Sequence, residues 1–134
     1  MMANPYQQYQ ESSLETATPG KLLLMLYDGA IRFLIQAEQA LEAKKYSEAH
    51  NFNLRAQDII TELICCLNME VGEVSQNLYR LYEYLHWRLV QSNIKREGVG
   101  VREVIGHLRE LRSAWAEAVK QTAGSGVSLA SGAA

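Results

Sequence analysis

The sequence predicts an all-α fold, an antiparallel up-and-down four-helix bundle with a flexible N-terminal segment and a disordered C-terminal tail. Three observations carry that expectation. Four segments of roughly 20 residues repeat their apolar positions with the 3.6-residue period of an amphipathic helix. Connections of about 3 to 7 residues leave consecutive helices no course but to fold back on one another. No segment shows the period-2 alternation of β-branched residues that marks a strand.

The first helix opens at Thr18-Pro19-Gly20. The Thr18 hydroxyl can cap the first turn, and Pro19 suits the first helical position, where its missing N–H had no partner in any case. The pattern continues to about Ala43. Asp28 and Arg32 stand four residues apart on one face, a spacing that allows an ion pair. Leu22, Leu26, Phe33, Ala37 and Ala40 define one apolar seam, while Leu24, Ile31 and Ile35, with Tyr27 beside them, form a second stripe roughly opposite. A helix apolar over more than half its circumference is either sunk among its neighbours or covered by something else.

The second helix starts near Ser47 and runs to about Leu67. Phe52, Ala56, Ile59, Ile60, Leu63 and Leu67 face the expected core, with Asn51, Arg55, Asp58 and Glu62 toward water. Leu54 and Cys65 stray onto the outer face around Thr61. The third helix, from about Ser75 to Ile94, contains NLYRLYEYLHWRL at 77–89. Leu78, Leu81, Tyr82, Leu85 and Leu89 make an ordinary core seam. Tyr79, His86 and Val90 form a line on its flank, with Trp87 and Ile94 beyond and Tyr84 among Arg80, Arg88 and Gln91. That flank is either the edge of a wide core or a surface on which another chain lands. Gly98 and Gly100 mark the next turn. The fourth helix runs from about Val101 to Ala123, stopped by Gly124, with Val101, Val104, Ile105, Leu108, Leu111, Trp115 and Val119 as its seam. Arg112 points into the middle of that seam, where a guanidinium must be paired or must snorkel to water.

Residues 1–17 are polar and aperiodic, with Tyr6, Tyr9 and Leu14 as their large apolar groups, and 124–134, GSGVSLASGAA, are small and flexible by composition. The expected division is a leading segment at 1–17, a bundle at 18–123 and a tail at 124–134. A net charge of −2 with scattered Lys and Arg argues against a nucleic-acid partner. The adjacent Cys65-Cys66 pair is neither a disulfide framework nor a Cys-x-x-Cys spacing, and free thiols in a reducing cytoplasm are expected. The first apolar run, beginning at Leu22, carries Asp28 and Arg32, which argues against both a secretory signal and membrane insertion. The sequence holds no Gly-rich phosphate loop, His-Glu-x-x-His or Gly-x-Ser-x-Gly. Its one Glu-x-x-His, Glu83 to His86, lacks the second copy that a di-metal bundle needs. These features point to an interaction protein, without catalytic residues, cofactor or metal, that carries excess apolar, tyrosine-rich surface.

Three blocks, TATPGKLLLMLYDGAIRFLIQAEQAL at 16–41, RAQDIITEL at 55–63 and NLYRLYEYLHWRL at 77–89, resemble the flagellar secretion chaperone family, FliS. The leading NPYQQYQ and the fourth-helix LRELRSAW are also similar to the family's pattern, so the likeness covers residues 4 to about 120. The resemblance implies a cytoplasmic chaperone that binds the disordered carboxyl-terminal segment of flagellin, blocks premature polymerisation and helps deliver the subunit to the export-gate membrane protein. It also implies a hydrophobic groove over which the N-terminal segment can lie. Candidate groove residues are Leu24, Tyr27, Ile31, Leu54, Tyr79, His86, Trp87 and Val90, with Tyr6, Tyr9 and Leu14 as a displaceable cap or as part of a frayed end. A homodimer that hides the same stripes is the rival expectation. The Cys65-Cys66 pair and the tail take no role from the resemblance.

Overall fold

A computed structural model describes residues 18–122, which form four helices: α1 Pro19–Glu42, α2 Tyr46–Cys65, α3 Glu73–Lys95 and α4 Gly98–Thr122. A 3₁₀ turn at Met69–Val71 lies between α2 and α3. There is no strand among the described residues. The leading segment with Tyr6, Tyr9 and Leu14, and the tail from residue 123, lie outside them.

Local chemistry sets the helix ends. The Thr18 hydroxyl accepts a hydrogen bond from the Lys21 N–H at 3.3 Å, and Pro19 occupies the first turn as expected. α1 stops where Lys44 turns left-handed (φ 58°) and the Lys45 N–H bonds back to the Ala40 carbonyl. α3 begins two residues before the expected Ser75, directly after Gly72 at φ 105°, a conformation open to glycine. It ends at left-handed Arg96, where the Ser92 hydroxyl donates to the Glu97 carbonyl. α4 begins at Gly98 rather than Val101, so the two glycines read as turn residues lie inside the helix. Gly100 serves packing: a Cβ there would come within 3.0 Å of both the Arg88 guanidinium and the Ser92 Cβ.

α1 packs against α2 and α4, and α3 packs against the same two helices, so α1 and α3 stand diagonally across the bundle. This corrects the expected seam of α1. Its buried line is Leu23, Tyr27, Ala30, Leu34 and Ala37, whereas Leu22, Leu26 and Phe33 are only partly buried. A helix wedged between two neighbours buries the face that bisects them, and that face lies between the two stripes read from the sequence. On α2, α3 and α4 the expected cores hold at Ala56, Ile60, Leu63, Tyr82, Leu85, Leu89, Val104 and Leu108, all fully or almost fully buried.

Two polar groups of contacts sit within this apolar interior. The Tyr27 and Tyr82 hydroxyls are hydrogen-bonded to each other, and the Trp115 Nε1–H donates to the Tyr27 oxygen at 3.0 Å. Asn53 donates from Nδ2 to the Leu89 carbonyl at 3.2 Å, and its Oδ1 accepts from Gln57 Nε2 at 2.8 Å. The second set pins α2 to α3 and was not legible in the periodicity, because two amides in a helix read as solvent-facing until their neighbours are known.

Candidate functional site: the furrow between α2 and α3

α2 and α3 run antiparallel over a polar pin, and their outer edges do not close over it. Three recesses of about 300, 210 and 350 Å³ follow one another along this pair and share walls, the third reaching Leu41 of α1 and Arg96 just past the end of α3. The first lies between Thr61 and Ile64 of α2 and Glu83, His86 and Trp87 of α3, with Val90 as a wall in common with the second. The second is bounded by Leu54 and Gln57, the third by Tyr46, Ser47 and Arg96, and both share His50, Asn93 and Ile94. The lining residues of α2 recur as 50, 54, 57, 61 and 64, and those of α3 as 83, 86, 87, 90, 93 and 94, one face of each helix.

The furrow is open, and large apolar side chains stand exposed along it between polar ones. Trp87 is 54% exposed, Ile94 71% and Leu54 39%. Side chains of this size are ordinarily drawn into a core or an interface, and a contiguous line of them on one face is the informative case. The Trp87 ring stands 6.0 Å from the Tyr84 ring, which packs edge-on to His107. Beneath Tyr84, its hydroxyl donates to the Glu103 carboxylate, which also accepts from Arg88 Nε at 2.9 Å and has His107 Nε2 at 3.6 Å. The donated Tyr84 and Arg88 hydrogen bonds hold the Glu103 carboxyl below the usual carboxylate range, and the same bond to Glu103 raises the Tyr84 phenol. This network fixes the rim of α3 from the side of α4.

Four of the residues expected in a groove therefore meet: Leu54, His86, Trp87 and Val90 line the furrow together. Tyr79 is half-buried one turn before Glu83 on the same line of α3, and the neighbouring carboxylate raises its phenol. The others are elsewhere. Tyr27 is wholly buried at the bundle axis, a correction to its place in a surface stripe, and burial pushes its phenol far above the ordinary range. Leu24 and Ile31 lie on α1, diagonal to α3. Their line is flanked by α4, because Asp28 between them takes Arg112 Nε at 2.7 Å and Glu38 further along takes Arg102 at 3.3 Å. The expected Asp28–Arg32 pair gives way to Asp28–Arg112, since Arg112 crosses from the facing seam and makes two hydrogen bonds to that carboxylate. Arg112 thus has the structural ion pair anticipated for it. Sequence reasoning missed His50, Gln57, Thr61, Ile64 and Ile94 as lining; the i, i+4, i+7 run of His50, Leu54, Gln57 and Thr61 around the stray Leu54 was the available signal.

Cys65 and Cys66 are free thiols at the end of α2, the first exposed. Among the described residues no group of three or more His, Cys, Asp or Glu is placed to hold a metal ion, and no helix is long and apolar enough to cross a membrane.

Fold and site together define, over the described residues, an all-helical bundle with an open furrow along one helix pair, edged by Trp87 and exposed aliphatic side chains. The family pattern described as flagellar protein FliS matches residues 2–122. The flagellar secretion chaperone FliS of Bacillus subtilis (strain 168) is 41% identical over 117 residues, 87% of each chain. Its namesake in Vibrio cholerae is 36% identical over 106 residues, covering 78% of each chain, and that of Salmonella typhimurium is 35% identical over 107 residues, covering 78% of this chain and 79% of that protein. The chain belongs to the flagellar protein FliS family.

Proposed function

We propose that this protein is a cytoplasmic, non-enzymatic chaperone of flagellar export that holds the disordered carboxyl-terminal segment of flagellin in the α2–α3 furrow. Occupied in this way, the segment cannot polymerise early, and the complex is presented to the export-gate membrane protein. Family membership and the relatives' identity as flagellar secretion chaperones support the chaperone role. The observation that carries the mode of binding is the continuous furrow bounded by Leu54, Trp87, Val90 and Ile94, open to solvent along one helix pair.

The mechanism is helix-in-groove recognition. A disordered segment lays its apolar face against the furrow and becomes helical there. Coupled folding of this kind typically buries on the order of 1,000–3,000 Å² and costs a few kcal/mol in ordering. Buried area is therefore not affinity, and the central aromatic group, Trp87, is assigned the largest share. Leu54, His86 and Val90 complete the contact, with Tyr79 extending it.

The test is a titration of the purified protein with a synthetic peptide of the flagellin carboxyl-terminal segment, followed by circular dichroism and sedimentation. A one-to-one complex with newly helical peptide is expected. A dimer of this chain that ignores the peptide would overturn the proposal in favour of self-association through the same surface.

A further inference from the structure

Among the described residues lining the furrow, two are Asp, Glu, Lys or Arg, and they stand at opposite ends: Glu83 in the first recess and Arg96 in the third. Neither belongs to an ion pair among the described residues. Glu83 has the Tyr79 hydroxyl beside it, and the Arg96 guanidinium lies over the Tyr46 ring, 5.2 Å from its centre, with its edge left to other partners. About 13 residues separate the two, from the middle of α3 to the residue just past its end, roughly 20 Å at the helical rise. Between them the lining holds no Asp, Glu, Lys or Arg; it includes Leu54, Trp87, Val90, Asn93 and Ile94.

A helix laid in such a furrow has a positive amino end and a negative carboxyl end, each equivalent to about half a charge. The dipoles of α2 and α3 oppose one another and largely cancel, so the two end charges decide the direction. We infer that the furrow accepts a partner helix in one orientation, amino end at Glu83 and carboxyl end at Arg96, parallel to α3 and antiparallel to α2. The partner is an amphipathic segment of about 13 residues, roughly three and a half turns at 3.6 residues each. Its apolar stripe meets Val90 and Trp87, and a carboxylate in its last turn meets Arg96. The inference rests on the docking role proposed above and adds a direction to it.

The experiment uses the full chain, labelled with ¹⁵N, and the flagellin carboxyl-terminal peptide carrying a nitroxide at one or the other end of its furrow-bound helix. The amino-end label is expected to broaden the amide signals of Ile64 and Glu83, and the carboxyl-end label those of Asn93 and Arg96. Binding in the furrow with the two patterns exchanged would overturn the direction while leaving the docking role intact. Broadening confined to other helices, together with a Val90→Asp variant that binds normally, would overturn the docking role itself. As a second readout, Arg96→Glu should weaken binding about 3- to 10-fold in low salt, on the scale of a charge at a helix end reversed in sign. The loss should largely vanish in high salt, where such interactions are screened. An Arg96→Glu variant that binds as tightly as the parent in low salt would also overturn the direction.

Discussion

The hydroxyls of Tyr27 and Tyr82 are hydrogen-bonded at the axis of the bundle, joining α1 to α3, the two helices that otherwise stand diagonally apart. Trp115 adds its indole N–H to the Tyr27 oxygen, so one polar point ties three helices together. Apolar contacts alone tolerate sliding of one helix along another; a buried hydrogen-bonded group does not, because moving it leaves polar atoms without partners.

Tyr27→Phe removes the centre of this node: the Trp115 N–H loses its Tyr27 acceptor, and the buried Tyr82 hydroxyl loses its Tyr27 partner and keeps only Trp115 beside it. A loss of about 1–3 kcal/mol is expected in urea unfolding. Tyr82→Phe should cost less, since the Tyr27 oxygen keeps Trp115. The double variant should fall short of the sum of the two, and strict additivity would show that the hydroxyls act independently.

Asn53→Ala deletes the amide that bonds the Leu89 carbonyl and Gln57. It leaves Gln57 without its buried acceptor, so about 2 kcal/mol of stability should be lost. Because Asn53 sits beneath the furrow, flagellin-peptide binding should weaken as well. A variant destabilised to that extent with full affinity would separate the pin from the shape of the site.

Trp87→Ala should do the reverse. A half-exposed ring contributes little to the folded monomer, so the change in unfolding free energy should stay within about 0.5 kcal/mol. Peptide affinity should fall at least tenfold, about 1.4 kcal/mol. In the unsubstituted protein, peptide binding should shift Trp87 fluorescence to shorter wavelength as water leaves the ring. Unchanged affinity with a large drop in melting temperature would return Trp87 to the core.

Glu103 provides a pH test. Its folded-state pKa lies below its unfolded value because Tyr84 and Arg88 donate to the carboxylate. The stability it contributes is therefore complete above the ordinary glutamate pKa of about 4.3 and is lost as pH falls through the lowered folded value. Melting temperature should decline across that acid window, and Glu103→Gln should flatten the decline. The carboxylate is about one-third exposed, so a small effect is expected. Identical acid limbs in parent and variant would show that this cluster is not coupled to folding.

The furrow was partly legible in the residues. Leu54 on an otherwise polar face, and the flank of His86, Trp87 and Val90 beside a complete core seam, marked apolar groups that one helix could not account for alone. Leu24, Ile31 and Tyr27 were marked for the same reason, yet they went elsewhere: Tyr27 to the axis, the other two to the side of α4. Periodicity says which residues share a face of a helix. It does not say which neighbour that face meets.

What the chain determined by itself is local and near-local: four amphipathic helices, the Thr18–Pro19 start and the antiparallel order imposed by short links. These follow from backbone sterics, capping and the 3.6-residue repeat, all of which act within a few residues. Tertiary structure alone decided that α1 lies diagonal to α3, that Asp28 reaches Arg112, that Asn53 and Gln57 are interior, and that α2 and α3 leave a furrow between them. Those outcomes depend on side chains tens of residues apart competing for the same space, and the competition is settled only when all four helices pack at once.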